Sequence, residues 1–279
     1  MILSPSLTPY GQLALGLSSL FALLGYAFAA AMGEGSGRRA ALLIGWLAHA
    51  LAIAVDTMGL GATQPGVRFG FAPVLSVTLW LVLAVYVVES RLVPLPGVRR
   101  VLALLGMTAV ALALFFPGEF HLHAVSAWAP LHWILGIASY GLFGAAVLHA
   151  ALLSHAERSL RLKPNGGHGV PAQGPLGLPL LRLEKLTFRF VAAGFAVLSA
   201  TLLIGWWFAN PWRWDHKNVF SILAWIVFAG LLAGRRGFGW RGQRALRWLY
   251  VGAVLLLLGY VGSRFVLEVV LKRTVETGL

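Results

Sequence analysis

Apolar residues run through this chain in long blocks rather than in the short alternations of a soluble domain. Crossing the hydrocarbon core of a bilayer takes roughly 20 mostly apolar residues in one helix. Blocks of that length lie near 8–32, 40–60, 71–89, 101–117, 130–155, 186–208, 217–234 and 246–270. Turn and charge signals break them apart: GEGSGRR, Gln64-Pro65-Gly66, VPLPGVRR, PGEFHLH, the Gly/Pro-rich 163–179 segment, NPWRWD and GRRGFGWRGQR. The pattern predicts an all-α, polytopic bundle of about eight spans, forming one integral membrane domain over 1–279. The piece LPLLRLEKLTFR, leading into the sixth block, predicts an interfacial helix.

Composition strengthens this picture. Of 279 residues, 59% are hydrophobic and 11% charged, with a mean hydropathy of +0.81. A soluble domain carries about 25% charged residues, so lipid is the expected solvent. The net charge of +13 sits in short loops between the blocks, which fits contact with anionic headgroups and predicts no nucleic-acid partner. With no cysteine, disulfide and thiolate chemistry are excluded. The first ten residues lack the basic start of a cleavable signal peptide, so the first block is expected to remain as a helix.

Positive charge orients the bundle. Alternate loops place 16 of the 22 Lys and Arg on one side, including Arg38, Arg39, Arg99, Arg100 and the basic stretches 158–189 and 235–247. The opposite side holds Arg68, Arg213, Lys217, Arg264, Lys272 and Arg273. Cytoplasmic loops carry the excess of Lys and Arg, which predicts both termini outside.

Two outward loops carry candidate chemistry. Around 206–217 the chain reads WWFANPWRWDHK, and five of its 11 Trp residues fall between Trp206 and Trp225. Indoles at headgroup level form an aromatic belt. Trp212, Trp214, Arg213 and Asp215 also make an aromatic shelf with charges, suited to a flat amphipathic ligand with carboxylates, such as a porphyrin. Neutral imidazole is the usual nitrogen ligand of haem iron. His132 lies at the outer end of the fifth block, at a depth close to the Trp loop. His49 lies midway through the second, where a polar ring is costly unless it hydrogen-bonds across helices or serves a function. Asp56 follows on the same face. His149 and His155 are expected to be structural. His121 and His123 with Glu119 supply too few ligands for a fixed metal site. Arg264 either pairs with Glu268 at i+4 or faces an anionic ligand. No Walker loop, GxSxG, HExxH or dinucleotide fingerprint occurs, so an enzyme is not expected.

Three stretches, HWILGIASYGLFGAAVLHAALL (132–153), LPLLRLEKLTFRFVAAGFAVLSATLLIGWWFA (178–209) and WRWDHKNVFSILAWIVFAGLL (212–232), resemble the cytochrome c assembly membrane-protein family. That group includes CcsA/CcmC-like haem handlers and the HemX-like and YpjD-like inner-membrane proteins. WRGQRALRWLYVGAVLLLLGYVGSRF (240–265) is most similar to the YpjD-like branch, and the resemblance covers roughly 130–265. It implies a bacterial inner-membrane protein that presents haem b at the periplasmic face. It puts Trp212, Trp214 and Asp215 on the haem shelf, with His132 and His49 as candidate iron ligands. Arg264 joins this cofactor site as a candidate contact to the anionic groups. Implied partners are membrane lipid and an apocytochrome or another assembly protein that carries the missing cysteines.

The chain departs from the family pattern at Asn210-Pro211, where a Gly-containing lead is usual, and at His216, where Pro is common. It also departs at Ala233-Gly234-Arg235 and Gly262-Ser263-Arg264, where haem handlers tend to carry a histidine. A bis-histidine arrangement at those positions is therefore not carried over. Two alternative readings stand beside haem handling. One is a HemX-like interaction or regulatory protein contacting its partner through 156–189 and 235–247. The other is a small-solute or ion transporter using His49, Asp56 and Arg264.

Overall fold

A computed structural model describes residues 7–31, 36–64, 66–90, 96–122, 128–161, 180–208 and 214–271. Among them, eight helices are long and apolar enough to cross a membrane. In chain order these are α1 (Pro9–Ala31), α2 (Ser36–Asp56), α3 (Phe71–Glu89), α4 (Pro96–Phe115), α5 (Trp128–Arg161), α6 (Leu180–Phe208), α7 (His216–Gly237) and α8 (Gly242–Leu257). The last continues through π-helical turns at Leu258–Gly262 and Val266–Val270, so the span as a whole runs Gly242–Val270. The third span has the expected limits, and the fifth and sixth run longer than their apolar blocks. The stretch expected as an interfacial helix entering span six is helical from Leu180 and forms the first part of α6.

The chain divides into two compact units, residues 1–129 with 260–279, and residues 130–259. Large apolar side chains on the outer faces, such as Leu13, Leu17, Leu20, Leu24 and Phe28 of α1, are about half exposed. In water such a stripe would be a liability; against lipid tails it costs nothing.

In the first unit, α1 packs on α2 through small residues. A Cβ placed on Gly25 would fall 2.6 Å from the Gly45 Cα, so only paired glycines allow this backbone approach. The segment after α2 turns back through Gly59 and Gly61, both at positive φ, which glycine adopts without steric cost. Gly61 then accepts the Thr8 N–H at 3.0 Å. Two four-residue strands, β1 (Gly66–Phe69) and β2 (Glu119–Leu122), pair antiparallel with Val67 opposite His121. Neither strand is visible as an element in the hydropathy pattern.

The second unit centres on Phe143 of α5 and Phe228 of α7, stacked with ring centroids 3.9 Å apart. Gly194 lies under the first ring and Gly252 under the second, and Val191, Leu231, Leu246 and Leu249 close the core. The Tyr140 hydroxyl donates to the Leu256 carbonyl, tying α5 to α8. At the end of this unit where α6 begins, Arg235 pairs with Glu184 at 2.8 Å and lies over the Phe188 ring.

Candidate functional site

His132 stands one turn into α5. Its Nδ1 is 3.0 Å from the Thr201 carbonyl oxygen of α6. A carbonyl only accepts, so Nδ1 carries the proton and Nε2 is the nitrogen with the lone pair. A histidine held this way by a backbone carbonyl has the tautomer and ring orientation that metal-ligating imidazoles use. The ring rests on Gly205, where an added Cβ would come 2.9 Å from Cε1. Gly205 immediately precedes Trp206 and Trp207, which are 64% and 77% exposed at the end of α6.

Across the connecting segment, Trp214 is 74% exposed and Asp215 caps α7, its carboxylate accepting the Asn218 N–H at 2.8 Å. Asp215 thus fixes the start of α7 as an ordinary N-cap, a role that an Asp directly before a helical run could have signalled. Trp225, further along α7, donates its indole N–H to Ser199 Oγ at 2.9 Å and stacks on Phe195. It belongs to the helix interface. Trp212 and Arg213 lie outside the described residues. The end of α6, the start of α7 and the start of α5 therefore gather His132, Gly205, Trp206, Trp207, Trp214 and Asp215 in one unit. Gly205 carried no signal by type alone; its place directly before two tryptophans in a helix was the clue.

His49 belongs to the first unit. It is 1% exposed, and both ring nitrogens are engaged: Nδ1 with the Tyr26 hydroxyl at 3.0 Å and Nε2 with Ser76 Oγ at 2.8 Å. One nitrogen donates and the other accepts, so this triad joins α1, α2 and α3 with the imidazole satisfied. Iron ligation by His49 would require breaking one of these bonds. A cavity of about 20 Å³ adjoins it, room for about one water and not for a porphyrin.

Asp56, at the end of α2, faces Arg68 of β1 with Oδ1 3.8 Å from Nε. Burial draws the Arg68 guanidinium below its ordinary pKa, and the Asp56 carboxylate opposes that.

Arg264 pairs with Glu119 of β2 at 3.2 Å and lies near the Tyr260 ring. Glu119 thus supplies the direct ion pair that i+4 spacing offered to Glu268, one of the two readings open from the sequence, and the Glu268 carboxylate still acts on Arg264 through its charge. The π-helical turns on either side alter the register of the last span, and β2 brings Glu119 within reach. Glu268 instead sits at the start of α3, beside Gly70, where it takes a backbone hydrogen bond from Phe71. His121 Nδ1 bonds to the Glu119 carbonyl at 3.1 Å, and His123 lies outside the described residues. No group of three or more His, Cys, Asp or Glu able to hold a metal ion occurs among the described residues. His149, bonded to the Ala145 carbonyl and stacked on Phe190, is a satisfied core residue.

These features define an integral membrane helix protein with an oriented histidine at the aromatic end of its second unit. The sequence profile of the cytochrome C assembly protein family matches residues 69–271, and the chain belongs to that family. It is 33% identical over 167 residues to inner membrane protein YpjD of Escherichia coli strain K12, covering 58% of this chain and 60% of YpjD. It is 27% identical over 211 residues to cytochrome c biogenesis protein CcsA of Parasynechococcus marenigrum, covering 66% of this chain and 69% of that protein. CcsA of Prochlorococcus marinus is 24% identical over 216 residues, covering 67% and 68% respectively. The match thus spans less than two thirds of YpjD. No solved structure matches the chain. With eight apolar spans and these relatives, the protein is a multi-pass inner-membrane protein.

Proposed function

We propose that this protein binds haem as cargo at the aromatic end of its second unit and presents it at the periplasmic face for c-type cytochrome assembly. The observation that carries the reading is His132: its Nδ1–H is held by Thr201 and its ring by Gly205, beside the exposed Trp206–Trp207 pair. That combination fits the group. An imidazole of fixed tautomer would hold iron through Nε2, and exposed indoles would offer flat faces for the macrocycle. Trp214, and Trp212 with it, would extend the stacking surface, while Asp215 keeps α7 capped beside it. Family membership and relatives named as cytochrome c biogenesis proteins support the same reading.

Haem b bound here would remain exchangeable, because the chain has no cysteine to attach it. The thiols of the covalent step therefore come from an apocytochrome or assembly partner. His49 is a weaker ligand candidate than His132, since its ring is fully buried between Tyr26 and Ser76 with room beside it for little more than a water. Arg264, paired with Glu119, is likewise assigned to the fold of the first unit. The charge asymmetry of the loops supports both termini outside. The test is haem occupancy of the purified protein with and without His132.

A further inference from the structure

The first unit carries a polar interior that haem handling by His132 does not use. A cavity of about 20 Å³ lies among α1–α4, lined on its polar side by Ser19, His49, Asp56, Thr57 and Ser76. All five are more than nine-tenths buried. Asp56 Oδ1 is buried and accepts no hydrogen bond; the Arg68 Nε at 3.8 Å balances its charge but is too distant to donate. A buried carboxylate oxygen without a donor is costly, and the cavity beside it, apolar over most of its wall, gathers its polar groups on the side of Asp56, His49 and Ser76. One water needs about 10–15 Å³ of such space and two to four polar partners. A metal cation fits less well, since Arg68 already neutralises Asp56 and a second positive charge would be left uncompensated.

We propose that this cavity is an internal water site. Its occupant donates to Asp56 Oδ1 and links it to the Ser76–His49–Tyr26 chain, giving a path for proton exchange from the β1–β2 end of the unit to mid-membrane. The hydrogen bonds from Ser76 to His49 at 2.8 Å and from His49 to Tyr26 at 3.0 Å already supply the inner part of the path. The water supplies the one missing step. It passes a proton to one neighbour as it takes one from the other, so no net charge is added along the chain.

Solid-state NMR on the full-length protein in lipid bilayers, with water protons as the probe, tests this. Magnetisation from water should reach the Asp56 carboxyl and His49 ring carbons sooner than the dry side chain of Leu83 on α3, which is 1% exposed. After transfer to D2O, the His49 ring proton should exchange while the Ile53 amide of the same helix stays protonated. Ala52→Val, which fills the cavity from α2, should abolish both effects, and Ala113→Val on α4 serves if that variant does not fold. Wild-type Asp56 and His49 that polarise as slowly as Leu83 would overturn the proposal, as would a ring proton that persists as long as the Ile53 amide.

Discussion

Trp46 of α2 and Trp80 of α3 are stacked face to face, with ring centroids 5.1 Å apart and planes 1° from parallel. Each indole also donates to the backbone carbonyl of the other residue, at 3.2 and 3.1 Å. The pair is reciprocal, and because both acceptors are backbone carbonyls, removing one indole deletes one hydrogen bond and the stack while the other indole keeps its acceptor. In lipid no solvent replaces the lost donor at the freed carbonyl, yet interhelical hydrogen bonds average only about 0.6 kcal/mol there. Stacking adds about 0.5–1.5 kcal/mol.

Trp46→Phe is therefore expected to lower stability by about 1 kcal/mol, and Trp80→Phe by a similar amount. The double variant should cost less than the two together, because each single change already breaks the shared arrangement. Thermal unfolding in mild detergent measures this. Strict additivity would show that the two rings do not act as a unit.

A second expectation concerns Gly205. An added Cβ there meets the His132 ring at 2.9 Å, whereas Gly230 on the neighbouring helix has nothing within 4 Å of its Cβ position. Gly205→Ala should displace the imidazole and reduce haem occupancy while His132 remains in the chain. Gly230→Ala should leave occupancy unchanged and, if anything, raise helix stability by about 0.5–1 kcal/mol. Equal occupancy in the two variants would mean that ring placement by Gly205 does not matter.

The orientation rests on loop charge, and the absence of cysteine makes it simple to check. Phe238, between α7 and α8, is 81% exposed, and His216, at the start of α7, is also exposed. In intact cells made permeable only at the outer membrane, an impermeant maleimide should label His216→Cys and spare Phe238→Cys. Lysis should then make Phe238→Cys reactive. The opposite pattern would invert the bundle.

Span count and span position were legible because a bilayer imposes a length on every crossing helix, and 71–89 could be read to the residue. The β1–β2 pair was not, since strands of four residues carry too little pattern to stand out from a loop. Arg264 could not be placed from the sequence for a physical reason: i+4 spacing assumes an α-helical register, and the π-helical turns around it change which side chains meet. Its partner, Glu119, lies 145 positions away, and no local rule points there.

The candidate site was partly legible. His132 stood out as a polar residue in an apolar block, and Trp214 as part of a cluster. What fixes His132, a backbone carbonyl and a glycine on another helix, has no side-chain chemistry to recognise. His49 was equally visible, but its satisfaction by Tyr26 and Ser76 depends on helix packing. Asp215 carried a second signal beside the shelf: a carboxylate directly before a helical run is a favoured N-cap, and it caps α7.

The central claim, that haem binds through His132, is tested most directly by the visible absorption spectrum. The protein would be purified in mild detergent from haem-replete cells and recorded oxidised and reduced, beside His132→Ala. The account predicts a Soret band in the wild-type protein, near one haem per chain, that is largely lost in the variant. A wild-type protein that is colourless and fails to take up added haem, or a variant that keeps full occupancy, would contradict it.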